Sequence, residues 1–501
     1  PATGNRRLMQ DILRKEMGFA GVLISDWAAI EELVFHGVAA DKKEAAQLAM
    51  NAGVDIDMCT NSYIKNIEPL IGEGRLTMEQ LNEAVLRVLE LKNRLGLFEN
   101  PYRFADEKKA EEVILCREHR ALAREAASSS MVLLKNDGQL LPLQEKGKRI
   151  ALIGPYADCK HLYGAWSLLG RDEDTVSIRE GLTELSPDDT ITFAKGCYML
   201  EKGEKLYGFR GLVKEERPLS EEQLMDEAVR EAEQADLVVL ALGECAYHSG
   251  EGGSRADIRL PKEQRKLLKK IAGVNKNIAV VLFHGRPLDI RDVTKYARAV
   301  LAAWFPGTEG GNAVCDILFG RKNPSGRLSM SFPYSTGQVP LSYHHLATGR
   351  PYNGDERNRF QSRYLDAPTE PLYPFGYGLS YTDFVYSKVN LTKTSLSKDK
   401  ADDSITASLE VRNTGPLEGT ETVQLYIQDI CGSVARPVRE LKGFRQITLV
   451  PGESRRVEFT VTEEMLRFTT ADNCFESEPG KFRIFIGADS TTTNAVEFLL
   501  K

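Results

Sequence analysis

The first hundred residues alternate between segments with helical periodicity and short apolar runs. Apolar positions recur every three to four residues in 6–17, 42–52 and 77–95, which predicts three helices. The short runs between them, 21–25 and 54–58, favour strands. Strands that alternate with helices predict βα units on a parallel sheet. Two strands are too few to close a barrel.

A second α/β region begins at residue 149, after a helical connector over 110–127. Its apolar runs predict strands with helical segments between several of them, so we expect a mostly parallel sheet covered by helices. Ligands of such sheets collect at the carboxyl ends of the strands, where the segment 243–255 begins. The predicted strands are 150–153, 190–194, 237–242, 278–283 and 299–304, and the helices include 221–235 and 262–272.

The composition changes to Pro, Gly, Tyr and Asn over 323–378, which indicates a long connection. After residue 381, short runs of alternating hydrophobicity are separated by turn-rich stretches. This alternation is typical of a β-sandwich. The runs include 407–411, 423–427 and 456–461.

The size and charge of the chain narrow the class of protein. At 501 residues the chain is too long for one core, so two to four domains are expected. Hydrophobic residues make up 42% and charged residues 27%, as in soluble globular proteins. The net charge of −7 argues against nucleic-acid binding, which uses clustered basic patches. No apolar run approaches the roughly 20 residues that cross a bilayer, so no membrane partner is predicted.

Eight cysteines are scattered along the chain without the CxxC spacing of zinc or redox sites. We therefore predict free thiols in a reducing compartment, and hence a cytoplasmic location. No set of metal ligands is evident, so neither a metal nor another cofactor is predicted.

Asp26 directly follows an apolar strand and precedes Trp27. A carboxylate at the end of a parallel strand lies where barrel enzymes keep catalytic groups, and an indole offers a sugar ring an apolar face. The alternative is structural, because an Asp in this position is commonly a helix cap or a loop residue.

A second candidate is the polar, glycine-rich segment 248–255, which contains His248, Glu251 and Arg255. Glycines permit close approach to a ligand, and a loop can carry an acid to a neighbouring domain. Arg255 could orient that acid or hold a substrate hydroxyl. An ordinary surface turn is the alternative interpretation. Glu244 competes for the acid role, but its position next to the strand favours a structural hydrogen bond.

Several ordered blocks together resemble glycoside hydrolase family 3, specifically its multidomain β-glucosidases. GVLISDW at 21–27 resembles the nucleophile strand of that family, and SGEGGSRADIRLPKEQ at 249–264 resembles its acid/base loop. Further blocks that resemble the family are AGVDIDM (52–58), REAASSSMVLLKNDGQLLPL (124–143), WFPGTEGG (304–311), NPSGRLSMSF (323–332), PLYPFGYGLSYT (371–382), RPVRELKGF (436–444) and PGE (451–453).

The resemblance implies an α/β multidomain fold with a C-terminal fibronectin type III-like β-sandwich. The implied domains are the C-terminal portion of a (β/α)8 barrel (1–105), a linker (106–148), an α/β sandwich domain with the acid/base loop (149–335), a connecting segment (336–380) and the fibronectin type III-like domain (381–501).

The resemblance also implies a retaining, exo-acting β-glucosidase that removes terminal β-D-glucosyl residues from a small oligosaccharide or β-glucoside. Asp26 would be the nucleophile and Glu251 the general acid and base, on opposite sides of an interdomain cleft. Trp27 would form a wall of the sugar subsite. His248 and Arg255 would contribute to substrate binding or to the orientation of the loop.

The chain departs from the family in one respect: only about 105 residues precede the connector, whereas a complete eight-stranded barrel takes about 200 or more. We therefore expect an incomplete barrel, little glycosidase activity from this chain alone, and open sheet edges that favour aggregation or homo-oligomers. A β-xylosidase or another exo-glycosidase of the family is one alternative. A non-catalytic carbohydrate-binding or scaffold protein is another. The N-acetylglucosaminidase branch fits less well, because its members do not share a glutamate-bearing loop in a second domain.

Overall fold

Residues 1–114 form one unit in the computed structural model of the protein, and residues 115–501 form a second. The residues that the structure describes are 1–143, 147–168, 170–185, 189–209, 211–400 and 402–501. Among them, no helix is both long and apolar enough to span a bilayer.

The first unit is mostly helical, and its helix ends follow local capping chemistry. Asp41 accepts a hydrogen bond from the Glu44 amide at the start of one helix, and Gly53 ends that helix with φ 88°. Thr77 and Gln80 form a reciprocal capping box at the start of another. The helices are a 3-10 helix (Ala2–Gly4), a π-helix (Arg7–Glu16), α1 (Glu32–Phe35), α2 (Lys42–Ala52), α3 (Ser62–Gly72), α4 (Met78–Arg94) and α5 (Glu107–Val113).

The helices expected at 42–52 and 77–95 are confirmed, and the segment 6–17 is helical but winds as a π-helix. The strands expected at 21–25 and 54–58 do not form as full strands. The two segments meet only at a parallel bridge between Ile24 and Ile56. Parallel strands depend on neighbours on both sides, and among the described residues of this unit each segment has one.

The second unit begins with α6 (Arg117–Ser130) and a six-stranded sheet. The strands expected from continuous apolar runs are confirmed, and all neighbours are parallel except one antiparallel edge pair. The strands are β1 (Val132–Asn136), β2 (Arg149–Ile153), β3 (Thr190–Ala194), β6 (Leu237–Gly243), β7 (Ile278–Phe283) and β8 (Ala299–Ala302), in the order β1-β8-β7-β6-β2-β3. A short ribbon, β4 (Tyr207–Gly208) and β5 (Gly211–Leu212), lies outside this sheet.

Alternate residues of each strand enter two separate cores, as the two-residue period of a strand requires. Val238 and Leu240 of β6 belong to one core, whereas Val239 and Ala241 belong to the other. Both faces are therefore covered by helices. These are α7 (Ile178–Leu185), α8 (Glu221–Glu233), α9 (Lys262–Val274), α10 (Arg291–Tyr296) and α11 (Gly310–Leu318).

The C-terminal region of the second unit is the expected β-sandwich, with one core between two sheets. The strands are β9 (Phe384–Tyr386), β10 (Asn390–Leu391), β11 (Ser395–Leu396), β12 (Ser404–Asn413), β13 (Gly419–Asp429), β14 (Glu440–Leu449), β15 (Ser454–Thr462), β16 (Phe468–Thr469), β17 (Phe475–Glu476), β18 (Gly480–Gly487) and β19 (Ala495–Leu500). One sheet has the order β10-β12-β15 with β9 beside β12, and the other has the order β11-β19-β18-β13-β14.

A buried ion pair joins the long connection to this sandwich. Arg327 donates to Glu421 at 2.9 Å, and both side chains are almost inaccessible to solvent. The Tyr386 hydroxyl donates to the other Glu421 oxygen at 3.0 Å. The segment expected to be a long connection is thus held against its neighbour by a buried ion pair and a hydrogen bond.

Candidate active site

Asp26 lies on an exposed turn whose backbone is fixed by the neighbouring segment. The Ser25 amide donates to the Ile56 carbonyl at 3.0 Å, and the Ala28 amide donates to the Met58 carbonyl at 3.1 Å. The Ser25 side chain is buried, and its oxygen accepts a hydrogen bond from the Met58 amide at 2.9 Å. One carboxylate oxygen of Asp26 accepts from the Trp27 amide at 2.7 Å. The carboxylate therefore has a defined direction while remaining accessible.

The buried carboxylate of Asp55 holds the segment that precedes this turn. The sequence alone did not identify Asp55 as a candidate. Its side chain is inaccessible to solvent and accepts hydrogen bonds from the Leu23 amide at 2.8 Å, from Arg14 at 2.9 Å and from Arg87 at 2.9 Å. A buried carboxylate is stable only with such partners. The signal in the sequence was a charged residue within a short apolar strand, 54–58.

Trp27 presents its indole beside Asp26. The residue is 69% exposed, although a tryptophan normally gains much free energy from burial. Its role as a wall of a sugar subsite stays a prediction.

Glu251 occupies the tip of the loop that follows β6. The Gly253 amide donates to the Gly250 carbonyl at 3.1 Å, which closes a four-residue turn. Gly250 and Gly252 adopt φ of 89° and 70°, in the left-handed region that favours glycine. Among the described residues of its own unit, the Glu251 carboxylate has no hydrogen-bond or ion-pair partner and is exposed. It is available to a ligand.

His248 lies at the base of the loop and is buried. Its Nδ1 accepts from the Cys245 amide at 3.2 Å, and its Nε2 lies 2.8 Å from Glu204 Oε1. Burial lowers the pKa of His248, although Glu204 acts in the opposite direction. A neutral ring that accepts at Nδ1 and donates at Nε2 satisfies both contacts. These two contacts tie the His248 ring to the start of the loop and to Glu204.

Arg255 and Glu244 belong to a buried charged cluster under the loop. Glu244 is fully buried; its Oε1 lies 3.6 Å from Arg255 Nη1, and its Oε2 accepts from Arg286 Nε at 3.3 Å. Burial raises the pKa of Glu244, and the two guanidinium groups oppose that rise. This burial among cations supports a structural role for Glu244 and an orienting role for Arg255.

Two exposed aromatic rings near the loop escaped the sequence analysis. The rings of Trp166 and Phe209 lie with their centroids 4.9 Å apart, and the side chains are 57% and 54% exposed. A Cβ atom added to Gly250 would lie 3.5 Å from Trp166 Nε1, so this pair adjoins the turn that carries Glu251. The available signal was the glycine- and aromatic-rich stretch that follows β2 at the same edge of the sheet.

The structure thus groups the candidate residues as two sets. Asp26 and Trp27 share one turn in the first unit, whereas His248, Glu251 and Arg255 share one loop in the second. Within the described ranges, no group of three or more His, Cys, Asp and Glu side chains could hold a metal ion.

Comparisons with known proteins identify the class to which these elements belong. Residues 1–91 match the glycosyl hydrolase family 3 N-terminal domain, residues 131–381 match the glycosyl hydrolase family 3 C-terminal domain, and residues 421–490 match the fibronectin type III-like domain. The chain belongs to glycosyl hydrolase family 3, which confirms the resemblance and the multidomain α/β fold with its terminal β-sandwich.

Individual relatives narrow the comparison. The periplasmic β-glucosidase of Salmonella typhimurium is 43% identical over 100% of this chain, and a β-xylosidase of Formosa agariphila is 37% identical over 98% of it. Among solved structures, Listeria innocua β-glucosidase in complex with glucose is 41% identical over 100% of this chain, with a TM-score of 0.89. A variant of that enzyme has been solved with laminaribiose. The chain spans 66% of the length of each of these proteins.

The expected cytoplasmic location is wrong, because the Salmonella typhimurium relative is a periplasmic protein. The error came from the thiols. All eight cysteines are free, and three of them, Cys197, Cys245 and Cys315, are buried. Burial raises the pKa of Cys245 to about 11, so its thiol stays protonated and packs as a small apolar group. Such a residue carries no information about the redox compartment.

Proposed function

We propose that the protein is an exo-acting, retaining β-glucosidase in which Asp26 is the nucleophile and Glu251 is the general acid and base. The observation that carries this proposal is that β-glucosidases match the whole chain at 41% and 43% identity. The local geometry supports it, since both carboxylates are exposed on turns that the surrounding structure holds.

The proposed reaction is a double displacement. The Asp26 carboxylate attacks the anomeric carbon, the bond to the leaving oxygen breaks, and Glu251 gives that oxygen its proton. The resulting glycosyl ester is then attacked by water, whose proton passes to the Glu251 carboxylate as the ester bond breaks. The sugar leaves with its anomeric configuration retained, and both acids return to their starting forms.

The exposed aromatic residues suit a substrate with sugar rings. Trp27 lies beside the proposed nucleophile, and Trp166 with Phe209 lies beside the proposed acid. Aromatic faces pack against the apolar C–H faces of sugars, so a β-glucoside or a small oligosaccharide is the substrate class that we propose. His248 and Arg255 then act on the loop that carries Glu251.

The test is covalent trapping in the full gene product. A 2-deoxy-2-fluoro-β-glucoside with a dinitrophenyl leaving group forms the ester but hydrolyses it slowly. We expect mass spectrometry to place one fluoroglucosyl group on the peptide that contains residue 26, and Asp26→Ala to remove the label. Asp41→Ala, which removes a helix cap, is the control that keeps it. A label on another carboxylate would refute the assignment.

A β-xylosidase is the second candidate function, because the Formosa agariphila relative is a β-xylosidase. The two substrates differ by the hydroxymethyl group of glucose. We expect kcat/KM to be higher for an aryl β-glucoside than for the matched β-xyloside, and the reverse ratio would select the xylosidase. Sugar binding without measurable turnover, unaffected by Asp26→Ala and Glu251→Ala, would support the non-catalytic alternative.

We also propose the domain boundaries given by the resemblance: the C-terminal portion of a (β/α)8 barrel over 1–105, a linker over 106–148, the α/β sandwich over 149–335, the connection over 336–380 and the terminal domain over 381–501. The three family matches, 1–91, 131–381 and 421–490, support this order without fixing the boundaries. The homo-oligomer stays a prediction, for which sedimentation of the full gene product is the measurement.

A further inference from the structure

The loop that carries Glu251 is held at both ends of its tip by a single side chain, that of Arg286. Nη2 of Arg286 donates to the His248 carbonyl and to the Gly253 carbonyl, the latter at 2.5 Å. These two carbonyls flank the turn on which Glu251 sits. One guanidinium group therefore bridges the two ends of the turn.

Arg286 is itself fixed on both its backbone and its side chain. His284 is fully buried after β7, and its Nδ1 donates to the Arg286 carbonyl at 2.8 Å. Nε of Arg286 donates to the buried Glu244 at 3.3 Å, and the Arg286 side chain is 21% exposed. A charged side chain with this burial and three protein acceptors has little freedom to reorient.

Gly285 brings the segment after β7 against the loop. A Cβ atom at this position would lie 2.2 Å from Ser249 Oγ and 2.8 Å from Ser249 Cβ, so a larger residue here would force Ser249 to shift. The contact places Arg286 within reach of both carbonyls. It also shows that the segment and the loop are packed as one structure.

The tip of the loop has few other restraints. Gly250 and Gly252 flank Glu251 in left-handed conformations, and glycine has the largest conformational freedom in the unfolded ensemble. Among the described residues of the unit, the Glu251 side chain has no partner of its own. The direction of its carboxylate therefore depends on how the loop ends are held.

We propose that Arg286 is a positioning residue for the acid/base Glu251, acting as a clasp across residues 248–253. This inference rests on the proposed function, because positioning is meaningful only if Glu251 transfers a proton. The planar fork of arginine reaches two carbonyls and a carboxylate at once, which a lysine ammonium cannot reproduce.

The first test measures how firmly Arg286 holds the loop, independently of catalysis. In the full gene product, Arg286→Met removes the donors and keeps most of the apolar stem. We expect amide hydrogen exchange in the peptide spanning 246–255 to become at least tenfold faster. The matched control is Arg291→Met, which removes a guanidinium that pairs with Asp289 by hydrogen bonds of 2.9 and 2.7 Å. Within the described ranges, that guanidinium makes no hydrogen bond to residues 246–255. Unchanged exchange in Arg286→Met would overturn the proposal.

The second test measures proton donation by comparing two leaving groups. Phenyl β-glucoside needs a proton on its leaving oxygen, whereas 2,4-dinitrophenyl β-glucoside does not. We expect Arg286→Met to lower kcat/KM for the phenyl glucoside by about 10²-fold and for the dinitrophenyl glucoside by about threefold or less, because general acid catalysis typically contributes at least the larger factor. Arg286→Lys should lie between the two, and Arg291→Met should match the wild type.

The outcomes distinguish failure of the positioning role of Arg286 from failure of the proposed acid/base role of Glu251. Equal losses on both substrates would mean a general structural role and would overturn the positioning role. Faster exchange combined with full activity of Glu251→Ala would refute the proposed function of Glu251 and leave only a structural clasp. Normal exchange with an inactive Glu251→Ala would overturn the clasp and leave the proposed function standing.

Discussion

The turn of Asp26 and the loop of Glu251 expose their carboxylates by different means. The Asp26 turn is fixed by backbone hydrogen bonds to a neighbouring segment and rests on the buried Asp55. The Glu251 loop is fixed by side chains, namely His248 and Arg286, and its tip contains two left-handed glycines. In the proposed reaction, a nucleophile forms one bond to carbon, whereas the acid/base residue serves a leaving oxygen and then a water. The loop with the two left-handed glycines thus carries Glu251, the residue that acts in both steps of the proposed reaction.

The largest expected effects come from removing either of the two carboxylates. Asp26→Ala should lower kcat on every β-glucoside by on the order of 10⁴-fold or more, because no other group replaces the nucleophile. Glu251→Ala should cost about 10²- to 10⁴-fold on phenyl β-glucoside and far less on 2,4-dinitrophenyl β-glucoside. NMR of the products formed with added azide sharpens the contrast: Glu251→Ala should release the β-glucosyl azide by way of its covalent intermediate, whereas any azide product of Asp26→Ala should be the α-glucosyl azide from a single displacement. A leaving-group effect in both variants would contradict the assignment.

The next effect concerns the anchor under the Asp26 turn. Asp55→Ala should reduce the free energy of unfolding of the first unit by about 3–5 kcal/mol, because Arg14 and Arg87 would remain without their buried partner. Urea unfolding followed by hydrogen exchange in the peptides of residues 1–114 measures this loss. The matched control is Asp11→Ala, whose ion pair with Lys15 is exposed. Equal effects of the two changes would contradict the proposed anchor.

A smaller effect concerns pH and the support of the Glu251 loop. Burial lowers the pKa of His284 to about 4, so the folded protein keeps this ring neutral. The unfolded chain, with an ordinary histidine pKa near 6.5, binds a proton in the interval between these values. Stability is therefore fully present above about pH 6.5 and falls as the pH drops towards 4.

The expected loss between pH 7 and pH 5 is about 2 kcal/mol from His284 alone. Urea unfolding of the second unit at both pH values measures it, and His284→Gln should remove most of this dependence. His36→Gln, at an exposed position in the first unit, is the control. An unchanged pH dependence in His284→Gln would contradict the assignment of the loss to this ring.

The smallest effect isolates the backbone of the loop tip. Gly252 has φ 70° and open space where a Cβ would lie, so Gly252→Ala adds only conformational strain, about 1 kcal/mol. We expect kcat/KM on phenyl β-glucoside to fall severalfold, because the turn can relax and move Glu251. Gly452→Ala carries a similar strain at φ 81° with open space and should leave kcat/KM unchanged. Equal kinetics in the two variants would show that the tip tolerates displacement.

Sequence reasoning was most successful where a pattern is local. Leu237–Gly243 and Ile278–Phe283 are apolar throughout, which is typical of strands buried on both faces, and the structure confirms both. The strand expected before Asp26 shortened to one bridge at Ile24, because strand pairing depends on neighbours that a local pattern does not contain. Asp26 and Glu251 emerged as candidates because each follows a strand in a recognisable block.

Residues that act through distant partners could not be found in this way. Asp55 meets Arg14 and Arg87 across separations of 41 and 32 residues, and Arg286 meets the loop across 33 and 38. No periodicity links such positions. The same holds for Trp166, because its proximity to Gly250 arises only when the loops at one edge of the sheet pack together.

The antiparallel edge strand β1 has a further consequence. A terminal strand of a sheet offers unpaired amides and carbonyls to any extended chain that approaches, and this is a common route to intermolecular β-structure. Here the Leu379 amide already donates to the Leu133 carbonyl at 2.8 Å, so the connecting segment occupies that outer face of β1. A foreign strand would have to displace residue 379 before it could extend the sheet at this point, so the connecting segment protects this part of the β1 edge.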